Sequence, residues 1–362
     1  MIREIWFSRA RLGIRLPWRV EIRLNPTVFY HFLYYKKRSM KIGHITLTTP
    51  FILAPLAGIT NLPFRMMVKS YGCGLVCSEM ISANGLVHES PKTMDYLQSD
   101  RREKPVSFQI FGAKPDIMAE AAKIVQSKGA DILDVNLGCS VRKVLKTGAG
   151  AALMKDYQLA ASIFQSIRKA INIPFTIKIR SGWDASGNDA IEIGQIAESC
   201  GVDAITIHPR TARQGFGGQA DWSIIRRLKQ QVNIPVIGNG DIHSAASAFQ
   251  MISETQCDAV MIGREAVHNP WLFQDIVSRY QKVPSPKLSL HERFDAICDY
   301  VDQSIAHMGE RRACRLMRSR LGWFTRGLPN SCRFRESIRF LETRQQTFEL
   351  LMNYYKTICS ME

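Results

Sequence analysis

The chain reads as an α/β protein: a (β/α)8 TIM barrel followed by a small all-helical C-terminal domain. Three observations carry that expectation. Eight short apolar or β-branched runs recur between residues 51 and 264. Segments of helical period separate most of them. After a Pro-Ser-Pro interruption at 284–286, only helical pattern follows.

The runs are Phe51–Ala57, Leu75–Met80, Val106–Phe111, Asp131–Leu137, Phe175–Arg180, Ala204–Pro209, Pro235–Gly240 and Ala259–Arg264. Between them, Pro115–Lys128 sets Ile117, Met118, Ala121, Ala122, Ile124 and Val125 at helical spacing, and Tyr157–Ala170 repeats the pattern. Gly129 and Gly201 each close a helix before a strand, as a C-terminal cap requires. Strands alternating with helices imply a parallel sheet. An open doubly wound sheet would place a Gly-rich dinucleotide turn after the first strand; no G-x-G-x-x-G stands there.

Three segments follow: a basic, aromatic extension (1–39), the barrel (40–283) and the helical domain (287–362). The extension carries nine Lys or Arg against Glu4 and Glu21, with Trp6, Phe7, Trp18 and Phe29 among them. An RNA-touching arm, a surface helix and an organellar address all fit that composition. Met40-Lys-Ile-Gly opens a cleaner globular pattern, which favours an upstream start or a loose tail. In the last segment, helices are expected at Leu290–His307, Arg311–Thr325 and Phe334–Ile358.

Hydrophobic content of 46% is ordinary for a globular chain, so the net charge of +16 stands out against a normal core. It points to a polyanionic partner. Residues 311–339 hold nine arginines against Glu336 alone, and arginine suits phosphate oxygens through paired donors. A merely solvated basic face is the plainer alternative. The nine cysteines show no Cys-x-x-Cys spacing, so no zinc ribbon or iron–sulfur cluster, and no metal, is expected. Reduced thiols without a secretory leader suggest the cytoplasm. No apolar run is long enough to span a membrane, and nothing demands a protein partner.

Barrel enzymes place their chemistry at the C-terminal ends of the strands. Here Cys139 ends the apolar run Ile132–Leu137 just before Arg142 and Lys143, where a proton donor or nucleophile would sit. A packed structural cysteine is the alternative. Asn239-Gly240-Asp241 and Gly263-Arg264 end strands seven and eight, the usual phosphate site of such barrels. Lys178, at the end of a buried strand, needs an anionic or carbonyl partner such as a reduced flavin. Gln109 donates and accepts at once, which suits the imide edge of a flavin. His208 is placed to meet a cofactor ring or phosphate, and Pro55-Leu56-Ala57 to lie under a planar ring.

Taken together these residues resemble the tRNA-dihydrouridine synthases, closest to the bacterial B-type branch. The matching motifs, in order, are Ala-Pro-Leu-Ala-Gly-Ile-Thr-Asn-Leu-Pro-Phe-Arg (54–65), Ser-Glu-Met (78–80), Phe-Gln-Ile-Phe-Gly (108–112), Asp-Val-Asn-Leu-Gly-Cys (134–139), Lys-Ile-Arg-Ser-Gly-Trp (178–183), Ile-His-Pro-Arg-Thr (207–211), Gly-Asn-Gly-Asp-Ile (238–242) and Met-Ile-Gly-Arg-Glu-Ala (261–266). The resemblance covers roughly residues 40 to 340. It implies an FMN-bound barrel with Pro55, Leu56, Ala57, Gln109, Lys178, His208, Asn239, Gly240, Asp241, Gly263 and Arg264 on the cofactor. It also implies NADPH (or NADH) as reductant, hydride transfer to uracil C6, and Cys139 giving a proton to C5 of a uridine turned out of its stack. Asn136 would hold the uracil, and Arg180, Arg210 and Arg318 would contact the tRNA substrate. One departure is plain: Ser140 stands where the family usually has proline after the cysteine. A reductase of free pyrimidines or small enones, and a catalytically impaired RNA-binding homologue, are the other readings.

Overall fold

The computed structural model describes residues 40–361; the extension 1–39 lies outside the described residues. Eight parallel strands close into a barrel: β1 (Phe51–Leu53), β2 (Leu75–Ser82), β3 (Val106–Phe111), β4 (Ile132–Leu137), β5 (Phe175–Arg180), β6 (Ala204–His208), β7 (Val236–Asn239) and β8 (Ala259–Ile262), with β8 pairing β1. The strands stand where the apolar runs predict them, with altered ends. Pro55 lacks the N–H to continue a ladder, so β1 stops at Leu53 and residues 54–61 turn across the barrel mouth. β8 stops at Ile262 because Gly263 caps a short helix, Arg264–His268. β2 runs on to Ser82 through a register shift between Cys77 and Met80.

Strand alternation divides the core in two. Phe51, Leu53, Val76, Phe108, Leu133, Val135, Ile177 and Ile205 face outward and share one apolar cluster with the surrounding helices. Ile52, Leu75, Ile132, Ala204, Ile237 and Ala259 face the barrel axis. Met40, Ile42 and Leu47 join that inner cluster from the hairpin Lys41–Ile42/Ile45–Thr46, so the N-terminal end is plugged with apolar side chains. Moving up the same inward positions, the residues become Gln109, Asp134, Asn136, Lys178 and Asn239, all polar. A two-residue period thus fixes an apolar floor and a polar mouth.

The helices that matter to the site are α1 (Leu62–Ser70), α2 (Pro115–Ser127), α3 (Tyr157–Ala170), α4 (Asn188–Ser199), α5 (Trp222–Gln231), α6 (Ala245–Thr255) and α7 (Leu272–Gln281) around the barrel. After the Pro284–Pro286 interruption come α8 (Leu290–Met308), α9 (Glu310–Phe324), α10 (Ser331–Ser337) and α11 (Arg344–Cys359). The single helix expected over 334–358 is in fact two. Ile338 and Leu341 turn into the core through a short 3-10 segment, and the Thr343 hydroxyl accepts from the Gln346 N–H at 3.2 Å to start α11 afresh. The helical region shares the barrel's outer core: the Tyr300 ring meets Phe64 of α1 at 6.3 Å and Phe324 at 5.4 Å, both edge-on.

Candidate active site

The polar layer at the mouth is a connected network. Asp134, on β4, accepts from Gln109 Nε2 and from Thr176 Oγ1, each at 2.6 Å. Burial pushes its carboxyl up from the ordinary range, and the two donors with Lys178 oppose that. Asn136, two residues on, donates from Nδ2 to Gln109 Oε1 at 2.9 Å. The two contacts together fix which end of the Gln109 amide is oxygen. One amide hydrogen of Gln109 then remains for a ligand.

Cys139 is half-exposed at the rim, and its loop is pinned at three points. The Asn136 side-chain oxygen accepts from the N–H groups of Gly138 (3.2 Å) and Cys139 (2.9 Å). The Cys139 carbonyl accepts from Ala151 at 2.9 Å. Arg180 Nε donates to the Gly138 carbonyl at 2.7 Å. A Cβ on Gly150 would lie 2.6 Å from the Cys139 carbonyl, so only glycine lets that strand of backbone close on the loop. These bonds hold the turn that leads into Ser140.

The adjoining wall is cationic. Lys178 Nζ donates to Asn239 Oδ1 at 3.0 Å, and burial with the charge of Arg180 lowers its pKa to about 8. His208 is held lower still, to about 2, by burial and by Lys178, Arg180 and Arg210. It is therefore neutral. Its Nε2 faces the Arg210 guanidinium at 3.3 Å, and a guanidinium only donates, so the ring proton sits on Nδ1. Asp241, at φ 56° after Gly240 at φ 126°, accepts from Arg210 and Arg264. That pair of left-handed residues turns the backbone against the cavity wall. A Cβ on Gly240 would come within 3.0 Å of the His208 ring.

These walls enclose a cavity of about 620 Å³. Fourteen of the sixteen residues picked out from the sequence line it: Pro55, Leu56, Ala57, Gln109, Asn136, Cys139, Lys178, Arg180, His208, Asn239, Gly240, Asp241, Gly263 and Arg264. Arg210 and Arg318 do not. Arg210, expected to meet RNA, is 2% exposed, with its guanidinium on Asp241 and the carbonyls of Gly217 and Gly218. Arg318 donates to the Leu341 carbonyl at 3.0 Å and lies 3.6 Å from Glu342. Arg180 does line the cavity, yet its guanidinium is bonded to the carbonyls of Gly138, Thr211 and Gly215. It acts as a brace.

Sequence reasoning missed several wall residues: Met80, Phe216, His243, Glu265, His268 and Arg326. Phe216 is 63% exposed, and the guanidinium carbons of Arg264 and Arg180 lie 5.2 and 5.7 Å from its ring centre. Its signal was an aromatic residue set among glycines in Gly215-Phe-Gly-Gly218. Arg326 comes from the helical region, so that region reaches the barrel cavity. Among the described residues no cluster of His, Cys, Asp or Glu has the arrangement of a metal site, and no helix is long and apolar enough to cross a membrane.

Two solved structures resemble the fold, each at 13% identity: a 2-naphthoyl-CoA reductase complex (TM-score 0.53, 68% of this chain, 52% of that one) and a histamine dehydrogenase from a Rhizobium species (TM-score 0.52, 73% and 50%). The chain thus spans about half the length of either structure. Sequence relatives are far nearer. A "Probable tRNA-dihydrouridine synthase" of Rickettsia conorii is 38% identical over 324 residues, covering 88% of this chain and 97% of the relative. A "tRNA-dihydrouridine synthase B" of Pasteurella multocida is 37% identical over 322 residues, covering 88% and 96%. The family model described as "Dihydrouridine synthase (Dus)" matches residues 52–359, which takes in nearly all of the barrel strands and of the helical region, and the chain belongs to that family.

Proposed function

We propose that this protein reduces the C5–C6 double bond of uridines in tRNA to 5,6-dihydrouridine, with FMN in the barrel mouth and NADPH (or NADH) as the reductant. The observation that carries the reading is Cys139, on a pinned loop, at the rim of a cavity whose polar lining is already oriented.

The residues present fit a flavin. The cavity's volume is in the ordinary range for cofactor sites, roughly 300–1,000 Å³. Ala54, Leu56 and Met261 give an apolar bed for a planar ring. A free amide hydrogen of Gln109, the Lys178 ammonium and the Nδ1 proton of His208 give donors for its carbonyls and ring nitrogens. The Asn239–Asp241 turn, Gly263 and Arg264 would hold its phosphate, as glycine-rich strand ends do elsewhere. Bound there, the reduced cofactor supplies a hydride to uracil C6.

The chain's own residues do the rest. Cys139 donates its proton to C5, so one hydride and one proton together saturate the bond. Its half-exposed position lets water restore the proton. Asn136 fixes the sulfur's loop through its oxygen and keeps one amide hydrogen for the uracil ring. With His208 neutral, Lys178 and Arg264 are cations of the cavity wall available to the cofactor. Exposed arginines of the helical region, and Arg142, Lys143 and Lys146 beside the mouth, bind the tRNA through its phosphates. This assigns residues 40–283 to chemistry and 287–362 to grip.

Cys139→Ala is the direct test. The variant is expected to keep its flavin and its tRNA affinity, while dihydrouridine formation falls by roughly 10²–10⁴-fold, the range for a lost general acid. Full activity in the variant, measured by mass analysis of tRNA from cells relying on it, removes the assignment.

A further inference from the structure

Arg320 reads in the sequence as one more arginine of the polyanion-binding run, yet it is 1% exposed. Its guanidinium leaves the helical region and donates to the Gly58 carbonyl, in the loop that follows Pro55-Leu56-Ala57. The N–H of that same glycine donates to the Glu79 carboxylate at the bulge of β2. One peptide segment is therefore gripped on both sides, by a barrel acid and by an arginine from α9.

The grip falls where the loop has least stiffness of its own. Gly58 sits at φ 73°, and nothing lies within 4 Å of where a Cβ would be, so backbone conformation alone, with no packing, calls for glycine. On the near side the turn is closed by Thr60, whose N–H donates to the Leu56 carbonyl at 3.0 Å and whose hydroxyl accepts from the Leu56 N–H at 3.1 Å. Leu56 and Ala57 line the cavity from within that turn. Arg320 also lies over the Trp323 ring, its guanidinium carbon 4.3 Å from the centroid, and Trp323 meets His268 edge-on at 6.2 Å. His268 and Arg326 line the same cavity.

A buried arginine is a poor device for stability even with the Glu79 carboxylate and Tyr300 near it, because its desolvation is large and a buried charge is often matched by an apolar residue. It is a good device for fixing one carbonyl in space. We propose that the helical region completes the cofactor pocket, with Arg320 as a positioning residue that sets the Pro55–Gly58 loop against the flavin. The barrel mouth is then unfinished without α9, and the arginine run divides its labour between RNA and cofactor.

The inference rests on the flavin reading above, and one set of titrations separates the two. Apoprotein is prepared as wild type, Arg320→Met and Arg320→Lys. FMN is titrated by quenching of its fluorescence, and unmodified tRNA by filter binding. We expect Arg320→Met to weaken FMN about tenfold or more while tRNA affinity stays within about twofold, and Arg320→Lys, which keeps one donor for Gly58, to recover part of the loss. Unchanged FMN affinity in Arg320→Met overturns the proposal, as does a parallel fall of FMN and tRNA affinity, which marks a general structural role. If the methionine variant does not fold, selective loss of FMN in the lysine variant supports the proposal and its absence overturns it. A wild type that does not bind FMN sinks the flavin reading itself, whatever Arg320 does.

Discussion

Lys178 shows at the scale of one residue how burial and function pull against each other. Its ammonium stands in the barrel mouth with Asn239 as hydrogen-bond partner, and burial, with the charge of Arg180 nearby, lowers its pKa to about 8 from the usual 10.5. In the unfolded chain the lysine keeps its proton up to about 10.4. Between those two values the unfolded state binds more protons than the folded one, so this group makes stability rise with pH. Below about pH 8 both states hold the proton and the cost of the buried charge is present in full; it is relieved as pH rises toward about 10.4. The apoprotein should therefore gain stability over Lys178→Met between pH 8 and 10.5, by at most about 1.4 kcal/mol per pH unit. Urea melts of both proteins across that range check it; a difference that does not change with pH refutes the assignment. The residue's position was legible, as a lysine among β-branched neighbours in Thr176-Ile-Lys-Ile-Arg180. Its partners were not. Asn239 lies two strands away, and the Gln109–Asp134–Thr176 chain exists only because parallel pairing sets β3, β4 and β5 side by side.

Among elements, α1 owes its place to a buried pair. Arg65 Nε and Nη2 meet the two oxygens of Glu103 at 2.6 and 3.0 Å, with side chains 3% and 0% exposed. The same arginine donates to the carbonyls of Thr60 and Gln98, so it ties the loop after β1, the helix and the 3-10 turn before β3 together. Removing one member leaves an uncompensated buried charge. Glu103→Gln is expected to cost about 3–5 kcal/mol in chemical denaturation, and the double change Arg65→Met with Glu103→Leu distinctly less. Equal losses in the two would show that packing, with little role for charge, holds the corner. None of this pairing is visible in sequence, since the partners stand far apart and nothing in Arg101-Arg-Glu103 marks the acid as buried. Strands and helices are legible because their periods are local. The break before α11 is not, because it depends on Ile338 and Leu341 finding a core that other helices build.

For the whole molecule, charge is the property most easily read from sequence, and its division the least. A net charge of +16 announces a polyanionic partner, but it does not say which cations face solvent. Folding withdraws Arg210 and Arg320 into the interior and leaves Arg311, Arg333 and Arg339 exposed, with no ion pair among the described residues. Only the second group is available to phosphates. Each phosphate contact releases counterions, so the logarithm of affinity falls with the logarithm of salt by about 0.7–0.9 per contact. Replacing Arg311, Arg333 and Arg339 together by glutamine should flatten that slope by up to about two or three for tRNA binding. FMN content and the melting temperature should hardly move, since none of the three touches the cavity or the core. Fluorescence anisotropy across a salt series reads the slope directly. A slope equal to wild type's would place the RNA elsewhere on the surface and leave the arginine run of α9 and α10 as a solvated face.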